Sequence, residues 1–167
     1  MSLLREAVLA FTVQDRKSTS ASIIMSVFLS LILVVAADLV PDEPGRGIVL
    51  RVILVLIVAA ELLGAIGQGL LTRSLFERQG RPDHPLHRGT AQDFSFYNLA
   101  MAIALLLAAL DPVRNSVVIN VYVLLSCTHG AAHLIRFARS AWADRGADIR
   151  QGLPLLVAAL ALVLFRP

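Results

Sequence analysis

The sequence predicts an all-α fold, a polytopic bundle of transmembrane helices. Hydrophobic residues make up 57% of the chain and charged residues only 16%, whereas a soluble domain has about 45–50% apolar and about 25% charged residues. Apolar runs recur along the whole length and leave no stretch for a separate soluble domain. Lys and Arg gather in alternate connections between these runs, as in membrane proteins of fixed orientation. We therefore expect residues 1–167 to form a single transmembrane domain.

Five apolar runs are candidates for membrane-spanning helices. A helix that crosses the hydrocarbon core needs about 20 apolar residues at a rise of about 1.5 Å each. Residues 21–40, 48–71, 94–110 and 117–135 meet or nearly meet that length, and we expect all four to cross. The run at 153–165 is shorter. It predicts a tilted or shallow fifth crossing, with a segment lying in the interface as the alternative.

The first run has a competing interpretation as a secretory signal peptide. Its apolar stretch is longer than the apolar region of such a peptide, which spans about 7–15 residues, and the leader before it is long. We therefore expect residues 21–40 to be an uncleaved membrane anchor.

The connections between the runs predict the orientation of the chain. The short connections around 41–45 and Asp111-Pro112 are poor in basic residues, so we expect them outside the cell. The long connection 72–92 contains Gly and Pro residues that exclude one continuous helix. This connection, the connection after the fourth run and the amino terminus are basic, which predicts that all three face the cytoplasm. The basic residues expected on that side are Arg5, Arg16, Lys17, Arg73, Arg78, Arg81, Arg88, Arg136, Arg139, Arg145 and Arg150.

Polar residues follow helical spacing within three of the runs, so each of these helices has one polar or small-residue face. Unpaired polar side chains are costly in hydrocarbon, and we expect these faces to turn toward each other. They predict a cytoplasm-facing cluster of Glu61, Gln68, Asp93, Tyr97, His129 and His133. The faces are Glu61, Gly64 and Gln68; Asp93, Tyr97, Ala100, Ala104 and Ala108; and Tyr122, Ser126, His129, His133 and Arg136.

Depth along the helices indicates which of these side chains share a layer. From the helical rise, Glu61 lies about 15 Å and His129 about 10 Å inside the cytoplasmic boundary, with His133 about 5 Å inside. Gln68, at the depth of His133, is expected to share a layer with it and with Tyr97. Glu61 is expected to reach toward His129 or Ser126.

The cluster has several interpretations. It is structural if the polar groups only hydrogen-bond helices together. It is a transition-metal site if His129 and His133, on one helix face, bind an ion with Glu61 and Asp93, and Gln68, Tyr97, Ser126 and His87 would support that site. It could instead provide a single His ligand to haem, or form a half-channel in which Glu61 and His129 exchange protons.

The stretch 87–136 combines His87, Gln92-Asp93, Tyr97-Asn98-Leu99-Ala100, Asp111-Pro112 and His129-Gly130-Ala131-Ala132-His133-Leu134. With these residues it resembles small uncharacterised bacterial membrane proteins of the DoxX-like or domain-of-unknown-function type. That resemblance implies a compact four-helix membrane bundle in a bacterial inner membrane. It singles out His87, Asp93, His129 and His133, and it supplies no activity. The long connection and the fifth run depart from its pattern.

These observations predict a small integral membrane protein that is a non-enzymatic accessory or small-ligand-binding component. A metal- or haem-dependent redox enzyme and a proton or small-solute pathway are the competing hypotheses, so enzymatic activity stays open. The expected partners are the lipid bilayer and another membrane protein or a second copy. Nucleic acid is not expected, because the basic residues lie beside apolar runs and not along one polar face.

Overall fold

The computed structural model describes residues 19–40, 42–79, 85–139 and 145–166, and every regular element in these ranges is a helix. This confirms the prediction of an all-α fold for the described part of the chain. The helices are α1 (Thr19–Leu39), α2 (Glu43–Gly69), α3 (Thr72–Gln79), α4 (Pro85–Leu110), α5 (Ser116–Arg139) and α6 (Arg145–Leu164).

Three of the described helices are long and apolar enough to cross a membrane. They are α2, the part of α4 from Arg88 to Leu110, and α5. The apolar parts of α1 and α6 described here, Ile23–Leu39 and Gln151–Leu164, are shorter. The expected crossings at 48–71, 94–110 and 117–135 therefore correspond to helices of spanning length. Those at 21–40 and 153–165 correspond to shorter apolar helices.

Three helices begin five or more residues earlier than the apolar pattern predicts. α2 starts at Glu43 and not at residue 48, α4 starts at Pro85 and not at residue 94, and α6 starts at Arg145 and not at residue 153. Hydropathy identifies only the apolar part of a helix. Polar residues before that part can continue the same backbone hydrogen bonding, so the helix extends beyond the apolar run. Pro85 also suits the first helical position, because its fixed φ matches a helix and its missing N–H is not needed there.

The connection 72–92, expected as a loop, is partly helical. It contains α3 and the first residues of α4, which is a correction to that expectation. The exclusion of one continuous helix stays a prediction, because residues 80–84, between the end of α3 at Gln79 and the start of α4 at Pro85, lie outside the described residues. At the junction of α2 with α3, the buried Thr72 hydroxyl donates to the Gln68 carbonyl oxygen.

The connection between α1 and α2 is fixed by two side chains. The Asp42 carboxylate accepts a hydrogen bond from the Gly45 backbone N–H at 3.0 Å, which caps the start of α2. The Arg46 guanidinium donates to the Val40 carbonyl at 3.0 Å and to the Ala37 carbonyl at 3.4 Å. These carbonyls at the end of α1 lack helical partners, so Arg46 satisfies them.

A second tight connection joins α4 to α5. Asp111 accepts a hydrogen bond from the Arg114 backbone N–H at 3.1 Å. The Asn115 side-chain amide donates to the carbonyls of Leu107 at 3.2 Å and Asp111 at 3.0 Å. The Leu107 carbonyl in the last turn of α4 therefore accepts from the Asn115 side chain as well as from the Asp111 backbone N–H.

The chain divides into two compact units. One contains Leu56–Leu106, and the other contains Asp15–Val55 and Leu107–Pro167. In the first unit the end of α2 packs on the beginning of α4. In the second unit α6 packs against both α1 and α5.

Glycine sets the packing of α5 on α6 in the second unit. A Cβ atom added at Gly130 would lie 2.8 Å from Leu156 Cγ and 3.1 Å from the Gly152 carbonyl oxygen. A Cβ atom added at Gly152 would lie 2.9 Å from His133 Cβ. Small residues let helix backbones approach closely in lipid, where dispersion contacts drive association.

Candidate functional site

The polar residues of the first unit join α2 to α4. The Ser95 hydroxyl donates to the Ala65 carbonyl oxygen at 2.8 Å, and the Asn98 amide donates to Gln68 Oε1 at 3.4 Å. Gly64 makes room for Asn98, since a Cβ atom there would lie 2.8 Å from Asn98 Nδ2. The face of α2 predicted from Glu61, Gly64 and Gln68 is thus confirmed as a packing face at Gly64 and Gln68.

The packing face of α4 differs from the predicted one. The sequence places Asp93, Tyr97 and Ala100 on the inward face, but all three are exposed. Ser95 and Asn98 contact α2 instead. Ala104 is half-buried and Ala108 is buried, so the predicted stripe is covered only toward its far end.

Glu61 is half-buried in α2 and acts electrostatically on the Tyr97 hydroxyl. The two residues therefore belong to one neighbourhood in the first unit. Asp93 lies one helical turn before Tyr97, and its carboxylate is exposed. With Gln68, these three residues are the four members of the predicted cluster that lie in the first unit.

The second unit contributes the histidine pair of α5. His133 is buried, and the Arg136 Nη2 atom lies 2.8 Å from its Nδ1 and 3.2 Å from its Nε2. A guanidinium group only donates, so the imidazole accepts through a ring nitrogen that carries no proton. The ring of His129 stacks on that of His133, with centroids 4.8 Å apart and an interplanar angle of 23°.

His129 differs from His133 in its surroundings. Its side chain is exposed, and within the part of the chain that the structure describes it makes no hydrogen bond. It lies seven residues before Arg136, which places it about 10 Å along the helix from that arginine. An imidazole at this position in an apolar helix has polar ring nitrogens available to another molecule.

Three other polar residues of α5 are buried or hydrogen-bonded within the helix. Tyr122 and Ser126 are buried, as the predicted stripe requires. The exposed Thr128 hydroxyl is within hydrogen-bonding distance of two carbonyls of its own helix, Leu124 at 2.9 Å and Leu125 at 3.0 Å. Thr128 is therefore satisfied without a partner, unlike its neighbour His129.

The predicted metal site gains no support. Across 19–40, 42–79, 85–139 and 145–166, no three His, Cys, Asp or Glu side chains are grouped so that they could hold a metal ion. His87 lies near the start of α4, and its side chain is outside the described residues. The convergence of Glu61 and Asp93 with His129 and His133 stays a prediction, because the carboxylates and the histidines belong to different units.

Sequence reasoning missed Ser95, Asn98, Gly130 and Gly152 as the residues that bring helices together. Ser95 and Asn98 are three apart and are followed at helical spacing by the buried Ala102 and Leu105. This spacing indicates the packing face of α4. The more polar Asp93 and Tyr97 lie on a different face of the same helix, which the sequence analysis took as the packing face.

Comparisons with protein-family models, curated proteins and solved structures found no match. The DoxX-like resemblance therefore stays an expectation.

Proposed function

We propose that this protein is a non-enzymatic integral membrane component that associates with another membrane protein through the exposed face of α5 around His129. The observation that carries this proposal is an exposed imidazole, without a hydrogen bond among the described residues, in a helix of membrane-spanning length. A polar side chain at that depth is costly against lipid, so a protein partner that accepts or donates a hydrogen bond would stabilise it.

The stacked pair supports a binding role for His129. His133 is held by Arg136, which limits the ways its ring can turn. The stacking of His129 on His133 in turn restrains the His129 ring, at a centroid distance of 4.8 Å. A restrained donor or acceptor loses less conformational entropy when it binds than a free one does.

We place the protein in a bacterial inner membrane, with the amino terminus and α3 in the cytoplasm. The distribution of basic residues supports this orientation, because positively charged connections resist translocation. The exposed Glu77 in α3 and the exposed Arg114 in the α4–α5 connection report on the two sides. In a Cys127→Ser background, a membrane-impermeant thiol reagent should label Arg114→Cys in intact cells. It should label Glu77→Cys only after permeabilisation, and the opposite pattern would reverse the orientation.

The association is tested by extracting the protein from its native membrane in a mild detergent and measuring the mass of the assembly. We expect the parent in an assembly larger than a single chain, with a defined second component identified by mass spectrometry. His129→Leu should lower recovery of that component at least tenfold, because it removes the polar ring and leaves an apolar side chain suited to lipid.

Thr128→Val is the matched control. It removes an exposed polar group from the neighbouring position, but the Thr128 hydroxyl already bonds within its own helix. We expect it to leave the assembly unchanged. A parent protein that is extracted as a single chain contradicts the proposal, as does equal recovery of the second component from parent and His129→Leu. Stoichiometric zinc, iron or copper that is lost in His129→Leu would favour the metal-dependent hypothesis instead.

A further inference from the structure

The second unit has an open groove between α1 and α6. Its lining is apolar, in contrast to the polar face of α5. α1 lines it from Ser26 to Val34 and α6 lines it from Leu153 to Leu160, and it encloses about 340 Å³. Its walls are almost entirely hydrocarbon. Water would gain few hydrogen bonds there, so the natural occupant is an apolar chain.

Two serines are the polar residues of this lining, and they differ. The Ser30 hydroxyl donates to the Ser26 carbonyl oxygen at 2.8 Å and needs no other partner. The Ser26 hydroxyl belongs to a residue that is only 9% exposed, and it makes no hydrogen bond in the described ranges of the chain. A buried hydroxyl without a partner is unfavourable, so an occupant with one hydrogen-bond acceptor would stabilise it.

The length of the groove matches one leaflet of a bilayer. Eight helical steps separate Ser26 from Val34, which is about 12 Å at the rise of an α-helix. Half of a hydrocarbon core about 30 Å thick is about 15 Å. The groove therefore accommodates a chain that lies within a single leaflet.

Basic residues mark one end of α6. Arg150 lies three residues before Leu153, where the α6 wall of the groove begins, and Arg145 is the first residue of the helix. Residues 136–150 contain four arginines, at 136, 139, 145 and 150, against two aspartates, at 144 and 148. Arginines beside a membrane attract anionic headgroups, at about 1 kcal/mol for each.

From these features we infer that the groove binds one acyl chain of an anionic phospholipid, with the headgroup at the basic end of α6. The acyl chain packs against the apolar walls of the groove. An ester carbonyl accepts a hydrogen bond from the Ser26 hydroxyl, and the phosphate lies at the amino-terminal end of α6. A transmembrane helix fits less well, because it would run through the whole hydrocarbon core of about 30 Å, whereas the groove extends for about 12 Å. The inference rests on α1 and α6 lying in the bilayer, and it is independent of the partner proposed for His129.

The test uses the purified full chain, reconstituted in vesicles of equal parts phosphatidylglycerol and phosphatidylcholine. The protein is then extracted in mild detergent, and native mass spectrometry identifies and counts the lipid molecules that remain bound to it. We expect one phosphatidylglycerol per chain. Ser30→Phe fills the groove and should lower retention at least tenfold. Val35→Phe adds an aromatic ring at an exposed position of α1 outside the lining and should leave retention unchanged.

Two further variants make the result decisive. Leu31→Trp fills the groove from another position and replaces Ser30→Phe if that variant does not fold. Arg150→Gln should lower the preference for phosphatidylglycerol by roughly fivefold, the equivalent of about 1 kcal/mol. The inference is overturned if the parent retains no lipid, if it retains both lipids equally, or if the filled variants retain as much as the parent. A dimer that Ser30→Phe dissociates would also overturn it, by assigning the groove to a second copy.

Discussion

The two units of this protein hold their helices together by different means. In the first unit α2 and α4 are joined by side-chain hydrogen bonds, from Ser95 to the Ala65 carbonyl and from Asn98 to Gln68. In the second unit α5 and α6 approach through glycine, with Gly130 against Leu156 and the Gly152 backbone. Both devices are suited to lipid, where hydrocarbon gives helices no hydrophobic reason to associate.

The difference separates polar residues that hold helices together from polar residues that remain available. Gln68 looks like a site residue in the sequence, but its amide oxygen accepts a hydrogen bond within the α2–α4 contact. The α5–α6 contact is made through Gly130 and Gly152, and the neighbouring His129 side chain is exposed. A polar residue in an apolar helix thus indicates function only after its structural partners are known.

The largest expected effect is at the glycine contact. Gly130→Leu should lower the free energy of unfolding by about 3 kcal/mol, because the new side chain meets Leu156 and the Gly152 backbone, which cannot both move away. Denaturant titration in lipid bicelles measures this change. Gly47→Leu is the control, since nothing lies within 4 Å of a Cβ atom added there. Equal losses in the two variants would show that the α5–α6 contact does not depend on close approach.

A smaller effect is expected where glycine faces a side chain. Gly64→Ala should cost about 1 kcal/mol, because the added methyl group displaces the Asn98 amide and breaks its hydrogen bond to Gln68. In an Asn98→Ala background the same substitution should have almost no effect, since the obstructing amide is gone. A full penalty in that background would mean that Gly64 is needed for backbone approach, as Gly130 is.

The smallest effect concerns one hydrogen bond of the first unit. Ser95→Ala should lower the free energy of unfolding by about 0.6 kcal/mol, the average for hydrogen bonds between helices in lipid. The Ala65 carbonyl keeps its helical partner, so no buried acceptor is left unsatisfied. Ser95→Thr, which retains the hydroxyl, is the comparison variant in the same bicelle assay. If Ser95→Ala instead lowers the free energy of unfolding by several kcal/mol, this hydrogen bond provides most of the stability of the α2–α4 contact.

Much of the helical architecture was predictable, because apolar length alone marks a spanning helix. The runs at 48–71, 94–110 and 117–135 correspond to α2, α4 and α5. The start of α4 at Pro85 was not predictable from hydropathy, since its first residues are polar and still helical.

The packing face of α4 was harder to read for a physical reason. In a soluble protein the buried face is apolar and the exposed face is polar, so periodicity separates them. In lipid both faces can be apolar, and small or polar residues mark contacts only on average. The face with Asp93 and Tyr97 and the face with Ser95 and Asn98 were therefore both candidates for packing on α2, and sequence spacing did not distinguish between them.

Gln68 joins α2 to α4 through its side-chain oxygen, whereas the exposed His129 is available to another molecule. The free energies of unfolding of Gln68→Leu and His129→Leu, measured in the same bicelles, compare these two roles. We expect Gln68→Leu to lower it by about 1 kcal/mol, since Asn98 loses its acceptor. His129→Leu should leave it unchanged or raise it, because an exposed imidazole is replaced by a side chain that suits lipid. A lower free energy of unfolding for His129→Leu, with no change for Gln68→Leu, would show that His129 and not Gln68 holds the helices together.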